Sequence, residues 1–326
     1  MNIAFAGFRH SHIFSLYEMA KEAKEVNIIG CFERDRVARA AAANTHGINF
    51  NFASYEQLLT DEAVKAVAIG DYYGIRGAMV IAALKAGKHV ICDKPICTSL
   101  DELDVIENLC QQKGLVVSCM LDLRYMAQTE EVKRLILGGE IGRIHNVSFT
   151  GQHCLDYGRR PSWYFEEGKH GGTINDIAIH GVDLVRYLTE KNLTAVKCAV
   201  TKNAYATEEA DFHDCAHFIA ELEDITLMAD VSYSAPKFSG MLPTYWDFYF
   251  WGSEGMIEFN LATNEIHIYK SEERIIRCPE RKIEHLFDFI KEIDGEHTLM
   301  ESYHILSSQR QTLTIQAAAN KEDVWR

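Results

Sequence analysis

The sequence predicts an α/β protein in two parts, an N-terminal doubly wound parallel sheet followed by an α+β domain built on a large, mostly antiparallel, open-faced sheet. Three observations predict it. Up to about residue 120, short apolar runs without polar alternation are separated by helical patterns of about ten residues, as in strands buried on both faces. Beyond about residue 145 the runs read as strands with few helices between them, and several alternate polar with apolar. The chain has 326 residues, more than the roughly 250 to 300 at which a single core stops growing. The expected domains are 1–120 and 121–326.

Taken in order, Ile3-Ala4-Phe5-Ala6 leads into a helical stretch reaching Ala23, and Val26 to Phe32 into Arg36 to Asn44. Ala66 to Ile69 precedes Gly77 to Ala86, His89 to Cys92 precedes Leu100 to Lys113, and Leu115 to Cys119 completes the first sheet. The second part offers strands at Ile144 to His153, Ala195 to Ala204, Phe212 to Glu223, Ile225 to Ser234, Asp247 to Trp251, Met256 to Asn260 and Glu265 to Lys270. Helices are expected at Thr173 to Leu188, Ile283 to Asp294 and Leu299 to Asn320. Ile225, Leu227, Ala229 and Val231 alternate with Thr226, Met228, Asp230 and Ser232, so one face packs and the other meets solvent or a partner.

Lys plus Arg number 33 against 47 Asp plus Glu, a formal charge of -14, which argues against nucleic acid and anionic membranes as partners because both need a basic footprint. A small molecule is expected instead. The nine cysteines are odd in number, scattered through apolar runs and free of any C-x-x-C pair, which suits reduced thiols. The apolar run Ile3 to Phe8 stops at Arg9-His10, short of a signal core or a membrane span. The expected location is cytoplasmic.

A dinucleotide site turns its first strand into a helix through G-x-G-x-x-G, so that backbone and helix N-terminus meet a pyrophosphate. Here the turn reads Gly7-Phe8-Arg9-His10-Ser11-His12, which keeps the first glycine and replaces the others with Arg9 and His12. Glu33 ends the second strand 21 positions after His12, where an acid would accept from an adenosine ribose and favour NAD over NADP; the adjoining Arg34 could stack on adenine or soften that preference.

The segment Ala82-Ala83-Leu84-Lys85-Ala86-Gly87-Lys88-His89-Val90-Ile91-Cys92-Asp93-Lys94-Pro95 resembles the A-L-x-A-G-K-H-V-x-x-E-K-P stretch of the glucose-fructose oxidoreductase and inositol dehydrogenase family, Gfo/Idh/MocA, with Asp93 for Glu. Gly171-Gly172-Thr173-Ile174-Asn175-Asp176-Ile177-Ala178-Ile179-His180-Gly181-Val182-Asp183 is similar to its G-G-x-x-x-D-x-x-x-H-x-x-D helix. Gly138-Gly139-Glu140-Ile141-Gly142-Arg143-Ile144 is like its S-G-E-I-G-R-I element. The three stand in the family's order over about residues 1 to 190, and the chain is identified as a member.

The resemblance implies a Rossmann domain binding NAD, with NADP as the second option, and oxidation of a secondary alcohol on a sugar, polyol or related small molecule. It assigns Lys94, Asp176 and His180 to catalysis: His180 as base, Asp176 orienting it or binding a neighbouring hydroxyl, Lys94 bonding the reacting oxygen, with the base role open between His180 and Lys94. Residue chemistry agrees. Lys94 directly follows a buried strand at the carboxyl end of the parallel sheet, and Asp176 and His180 stand four apart on an expected helix. The cofactor set is Gly7, Phe8, Arg9, His10, His12, Glu33, Arg34, Gly70, Asp71, Tyr72, Arg76, Asp93, Lys94, Asp122 and Arg124.

The chain departs from the family where Asp71, Tyr72, Tyr73 and Arg76 replace a small residue, Pro, Asn and His, and where Asp122 replaces Asn before the retained Arg124. Arg9, His10, His12 and Arg76 form a local basic group that could hold a pyrophosphate by side chains. No metal is expected: His213, Cys215 and His217 share a strand face, but a zinc site needs a fourth placed ligand. Trp163, close behind Arg160, is a candidate neighbour of the substrate or a core residue. Substrate choice would lie in Cys154 to Lys169 and Ala235 to Tyr245. The broken loop also motivates one alternative, a catalytically silent dinucleotide- or ligand-binding regulator, and the family resemblance implies a second, a redox-neutral lyase or hydrolase using bound NAD. By resemblance, the open sheet face implies a homodimer or homotetramer.

Overall fold

The computed structural model describes Met1 to Lys321 and divides the chain into two compact units, Met1–Met120 with Glu284–Ser307, and Leu121–Ile283 with the described chain from Ser308 onward. In the first unit, β1 (Asn2–Phe8), β2 (Asn27–Phe32), β3 (Ala66–Gly70), β4 (His89–Cys92) and β5 (Val117–Cys119) form one parallel sheet in the order β2-β1-β3-β4-β5. The chain moves from β1 to β2 on one side and then to β3 on the other, so the carboxyl ends of β1 and β3 flank the crevice in which such sheets bind ligands.

Its helices are α1 (His12–Glu22), α2 (Arg36–His46), α3 (Tyr55–Thr60), α4 (Tyr73–Lys85) and α5 (Leu100–Lys113). Local chemistry sets several ends: Asp35 accepts from Ala38 N to start α2, Ser99 accepts from Glu102 N to start α5, and left-handed Gly47 and Gly114 stop them. The core joins Ile3, Phe5, Ala66, Ala68 and Ile91 of the sheet to Ile13, Leu16 and Tyr17 of α1.

The second unit holds α6 (Thr129–Leu137), β6 (Ile144–Gln152), α7 (Ile179–Thr189), β7 (Leu193–Lys202), β8 (Cys215–Leu222), β9 (Ile225–Ser232), β10 (Asp247–Gly252), β11 (Gly255–Asn260), β12 (Glu265–Tyr269) and β13 (Glu273–Arg277). The strands form one sheet in the order β13-β12-β11-β10-β6-β9-β8-β7, antiparallel except where β6 meets β9. Phe149, Phe218, Leu227, Phe248, Phe250 and Phe259 fill one face, and Gly181 of α7 lies directly over the ring of Phe149. The other face carries Ile219, Met228 and Trp251 exposed, as the alternation in Ile225 to Ser232 predicts. No described helix is long and apolar enough to cross a membrane.

Several features differ from the sequence reading, which expected neither α3 nor α6. β13 was not expected, because Ile275-Ile276 is an apolar doublet without alternation and the strand is an almost fully exposed edge. The expected second domain was continuous over 121–326, yet α8 (His285–Ile293) belongs to the first unit, where Leu286 and Phe289 enter the core cluster. The last helix, α9 (Ser302–Lys321), passes into the second unit at Ser308.

Phe289→Ala should therefore lower the stability of the first unit by about 3 to 5 kcal/mol, read as a lower urea midpoint, while Arg277→Ala on exposed β13 should stay within about 0.5 kcal/mol. Equal midpoints for Phe289→Ala and the parent would remove α8 from this core.

Candidate functional site

At the carboxyl end of β1, Gly7 has φ +79, and a Cβ there would stand 2.6 Å from Asp71 Cβ, so only glycine lets β1 run this close to the β3 turn. The loop then folds onto β3: Arg9 N and His10 N both donate to Gly70 O at 3.1 Å. Phe8 N donates to Glu33 Oε2 at 2.5 Å and Asp35 N to Glu33 Oε1 at 2.7 Å. Glu33 is thus buried with a backbone amide on each oxygen, and burial raises its carboxyl pKa against the pull of those amides. Both oxygens expected from sequence to meet a ribose thus already accept one backbone amide each, and Glu33 also lines the cavity beyond β2.

Asp93, the residue after β4, is the centre of this unit's site. Its carboxylate is fully buried, with His10 Nδ1 on one oxygen and His12 Nδ1 3.1 Å from the other. Burial alone would raise the Asp93 carboxyl, but the two imidazoles facing it hold it well below the usual carboxylate range. Burial pushes His10 down to about 4, so at neutral pH it is an uncharged ring donating its Nδ1 hydrogen. Among the described residues these three groups are the one cluster of metal-ligand type, within 4.8 Å of one another. Arg76 Nη2, 3.8 Å from Asp93, already balances the carboxylate from inside the fold.

The basic group read from sequence therefore separates. Arg76 is fully buried, its Nη1 donating to Asp93 O and Pro95 O at 2.8 Å each and its Nη2 to Asp71 O at 2.7 Å, so it holds the turn that carries Lys94 and is not open to a phosphate. Arg9 pairs with Asp35 at 3.4 Å, and Arg34 with Asp71 at 3.3 Å, both guanidinium groups near the ring of Tyr72. Lys94 is buried with its ammonium 5.7 Å from the Tyr73 ring, and its bond to Pro95 is cis. A cavity of about 500 Å³ opens beyond β2, lined by Glu33, Arg34, Arg36, Ser54, Asp71 and Ile75 among others.

In the second unit the expected helix from Thr173 opens as a wider π-helical turn, Ile174–Ala178, before α7. Four-apart residues do not stack across such a turn as they do in an α-helix. Asp176 instead places Oδ2 3.3 Å from His170 Nε2, which lies 3.0 Å from the Tyr233 hydroxyl. His180 is buried edge-on to Trp246, ring centroids 5.6 Å apart. The Tyr245 phenol pKa is raised by burial and by the carboxylates of Asp122 and Asp176, with Arg160 opposing, so it stays a hydrogen-bond donor. Arg160 itself donates to Leu155 O and Cys154 O.

Arg124, expected at the cofactor, is fully buried and grips Asp183 through two bonds, Nε to Oδ2 at 2.8 Å and Nη2 to Oδ1 at 2.5 Å. It anchors α7 at Asp183, three residues beyond His180. Trp163 is a core residue stacked near Tyr164. His213, Cys215 and His217 go separate ways, to Thr201, Ser234 and Asp230. His170 and Tyr233 were missed in the sequence, where the one local signal was His170 immediately before Gly171-Gly172, while Tyr245 was read only as the end of a segment for substrate choice.

A five-stranded parallel sheet of this order with a glycine turn after β1, in one chain with an open sheet bearing a His/Asp helix, defines a dinucleotide-fold protein with an appended α+β domain. The chain belongs to the GFO/IDH/MocA family. The family model described as "Oxidoreductase family, NAD-binding Rossmann fold" matches residues 1–121, and that of the GFO/IDH/MocA C-terminal domain matches 129–258. The resemblance read from the three motifs is thereby borne out. Levoglucosan dehydrogenase of Pseudarthrobacter phenanthrenivorans is 30% identical over 154 residues, 46% of this chain and 39% of that protein, so the match spans well under half of that relative. The crystal structure of a putative oxidoreductase from Erwinia carotovora atroseptica has a TM-score of 0.86 at 24% identity, covering 98% of this chain and 99% of that one. A levoglucosan dehydrogenase complex with NADH and levoglucosan has a TM-score of 0.81 at 20% identity over 99% of this chain and 98% of that one.

His10 makes the fold acid-labile. Its ring takes a proton near 6.5 when unfolded but only at about 4 in the fold, so the unfolded state binds more protons between these values and stability falls as pH drops through that window. The depressed Asp93 carboxyl adds loss in the same direction below its ordinary 3.8. In urea titrations over this range, His10→Asn should lessen the fall by on the order of 3 kcal/mol; an unchanged slope would contradict the assignment.

Proposed function

We propose that this protein is an NAD(P)-dependent oxidoreductase that moves a hydride between a nicotinamide and a secondary alcohol of a sugar, polyol or related small molecule. The observation that carries the reading is the buried set of Asp176, His170 and His180 at the start of α7, in a chain of this family. The first unit fits a dinucleotide: Gly7 allows close approach at the β1 turn, and the cavity beyond β2 has the size and polar lining for an adenosine. Arg34 and Tyr72 would meet the adenosine end, and Arg9 and His12 the pyrophosphate at the start of α1. NAD is the expected cofactor and NADP the second option. Bound there, the nicotinamide supplies the hydride acceptor or donor.

The chain's own groups handle the rest. His180 takes the hydroxyl proton as the hydride leaves; His170 holds the Asp176 carboxylate so that it accepts from a neighbouring hydroxyl; the protonated Tyr245 donates to another. The family pattern gives Lys94 the reacting oxygen. The dehydrogenase and the NADH complex among the relatives support this over a silent regulator. All nine cysteines are free thiols, which supports a reducing, cytoplasmic setting. The open face with Ile219, Met228 and Trp251 suits self-association as a homodimer or homotetramer.

The test is a panel of levoglucosan, glucose, xylose and inositols with NAD or NADP, followed by absorbance of the reduced nicotinamide. At least one sugar should turn over, and His180→Ala should cut its kcat by about 100-fold or more. No reduction with any member, or an unchanged kcat in His180→Ala, would contradict the reading.

A further inference from the structure

The helix that begins at Thr173 lacks a local cap. Its entry is Gly171-Gly172, which offers no side chain, and Thr173 makes no capping bond, its hydroxyl donating instead to His213 O. The first amides of a helix have no intrahelical acceptor and must find one elsewhere. Here they find Gln316, on α9 and far along the chain. Its Oε1 accepts from Ile174 N at 3.1 Å and from Asn175 N at 3.2 Å, in a buried setting. Its Nε2 donates to Asn320 Oδ1 at 2.9 Å, which fixes the amide with oxygen toward the helix. Two turns earlier on α9, Gln309 Nε2 donates to Asn175 Oδ1 at 2.7 Å.

Gly172 completes the arrangement. Its φ is +96, and a Cβ on it would stand 2.2 Å from Gln316 Oε1. The glycine pair thus serves two ends: it removes a local cap and makes room for a remote one. Asp176 N, the next amide, bonds back to Gly172 O at 3.0 Å, so the residue carrying the site's carboxylate is the first whose amide is satisfied within the segment itself. The two amides held by Gln316 immediately precede it, and the turn they open is the π-helical one that sends Asp176 to His170.

We infer that Gln316 is a positioning residue for the proton-handling groups: by capping Ile174 and Asn175 it sets the register of the π-helical turn, and with it the place of Asp176 against His170 and of His180 at the head of α7. This rests on the proposed role of Asp176 and His180, but its first readout does not depend on turnover.

The experiment compares full-length Gln316→Leu, which removes the acceptor, with Gln316→Glu, which keeps an oxygen toward a helix N-terminus that favours negative charge. The imidazole ¹⁵N shifts of His170 and His180 report ring tautomer and partners. They should move in Gln316→Leu and return in Gln316→Glu. With the best sugar of the panel, kcat should fall by about 10- to 100-fold in Gln316→Leu with cofactor KM unchanged, and recover in Gln316→Glu. Should Gln316→Leu not fold, Gln316→Asn keeps an amide one methylene too short and should move the same shifts. Imidazole shifts unchanged in the folded variants, with only the melting temperature lowered, would overturn the inference and leave Gln316 a stability residue. Loss of all turnover in the parent would instead sink the proposed reaction, while the imidazole shifts still decide the role of Gln316.

Discussion

The Asp93 carboxylate is the constraint from which the first unit's site follows. A carboxylate with no access to water must be met by donors or neutralised. Here it is met by His10 and His12 from the loop after β1, with Arg76 of α4 close by. One buried charge therefore ties together the turn after β1, the turn after β4 that carries Lys94, and the helix after β3. Asp93 stands where the family has Glu and His12 where it has glycine, and in this fold the shorter acid is reached by His12 together with His10.

The second unit solves the same problem with different chemistry. Asp183 is neutralised by Arg124 through a two-point grip, Asp176 is shared with His170, and the helix start is closed by Gln316. Each contact joins residues distant in sequence, so α7 is held at its beginning from α9 and further along from the turn at Asp122–Tyr125. Rigid support of this kind is what a proton-transfer site requires, since small displacements of the acid and base cost rate steeply.

The strand-helix alternation up to Cys119 was legible because strands buried on both faces leave unbroken apolar runs, and the open sheet was legible because Ile225 to Ser232 alternates. The motifs are what single out Lys94, Asp176 and His180 for the proposed chemistry. The direction of the arginines was not legible. Arg76 read as part of a basic group near a phosphate and Arg124 as a cofactor residue, yet their partners are carbonyls of Asp93, Pro95 and Asp71 in one case and Asp183 in the other, and those neighbours exist only once the chain has folded. His170, Tyr233 and Gln316 were invisible for the same reason. The allegiance of α8 to the first unit was also hidden, because an apolar stripe such as Leu286 and Phe289 declares that a helix is buried without naming the core that buries it.

What most needs testing is that a loop with Arg9 and His12 in place of glycines holds a dinucleotide. Mass spectrometry of the small molecules released from the purified, denatured protein tests it most directly. NAD or NADP should be released, or, if the protein is purified empty, added NADH should bind saturably by calorimetry. Release of no nucleotide together with no heat of binding for either reduced cofactor would contradict it.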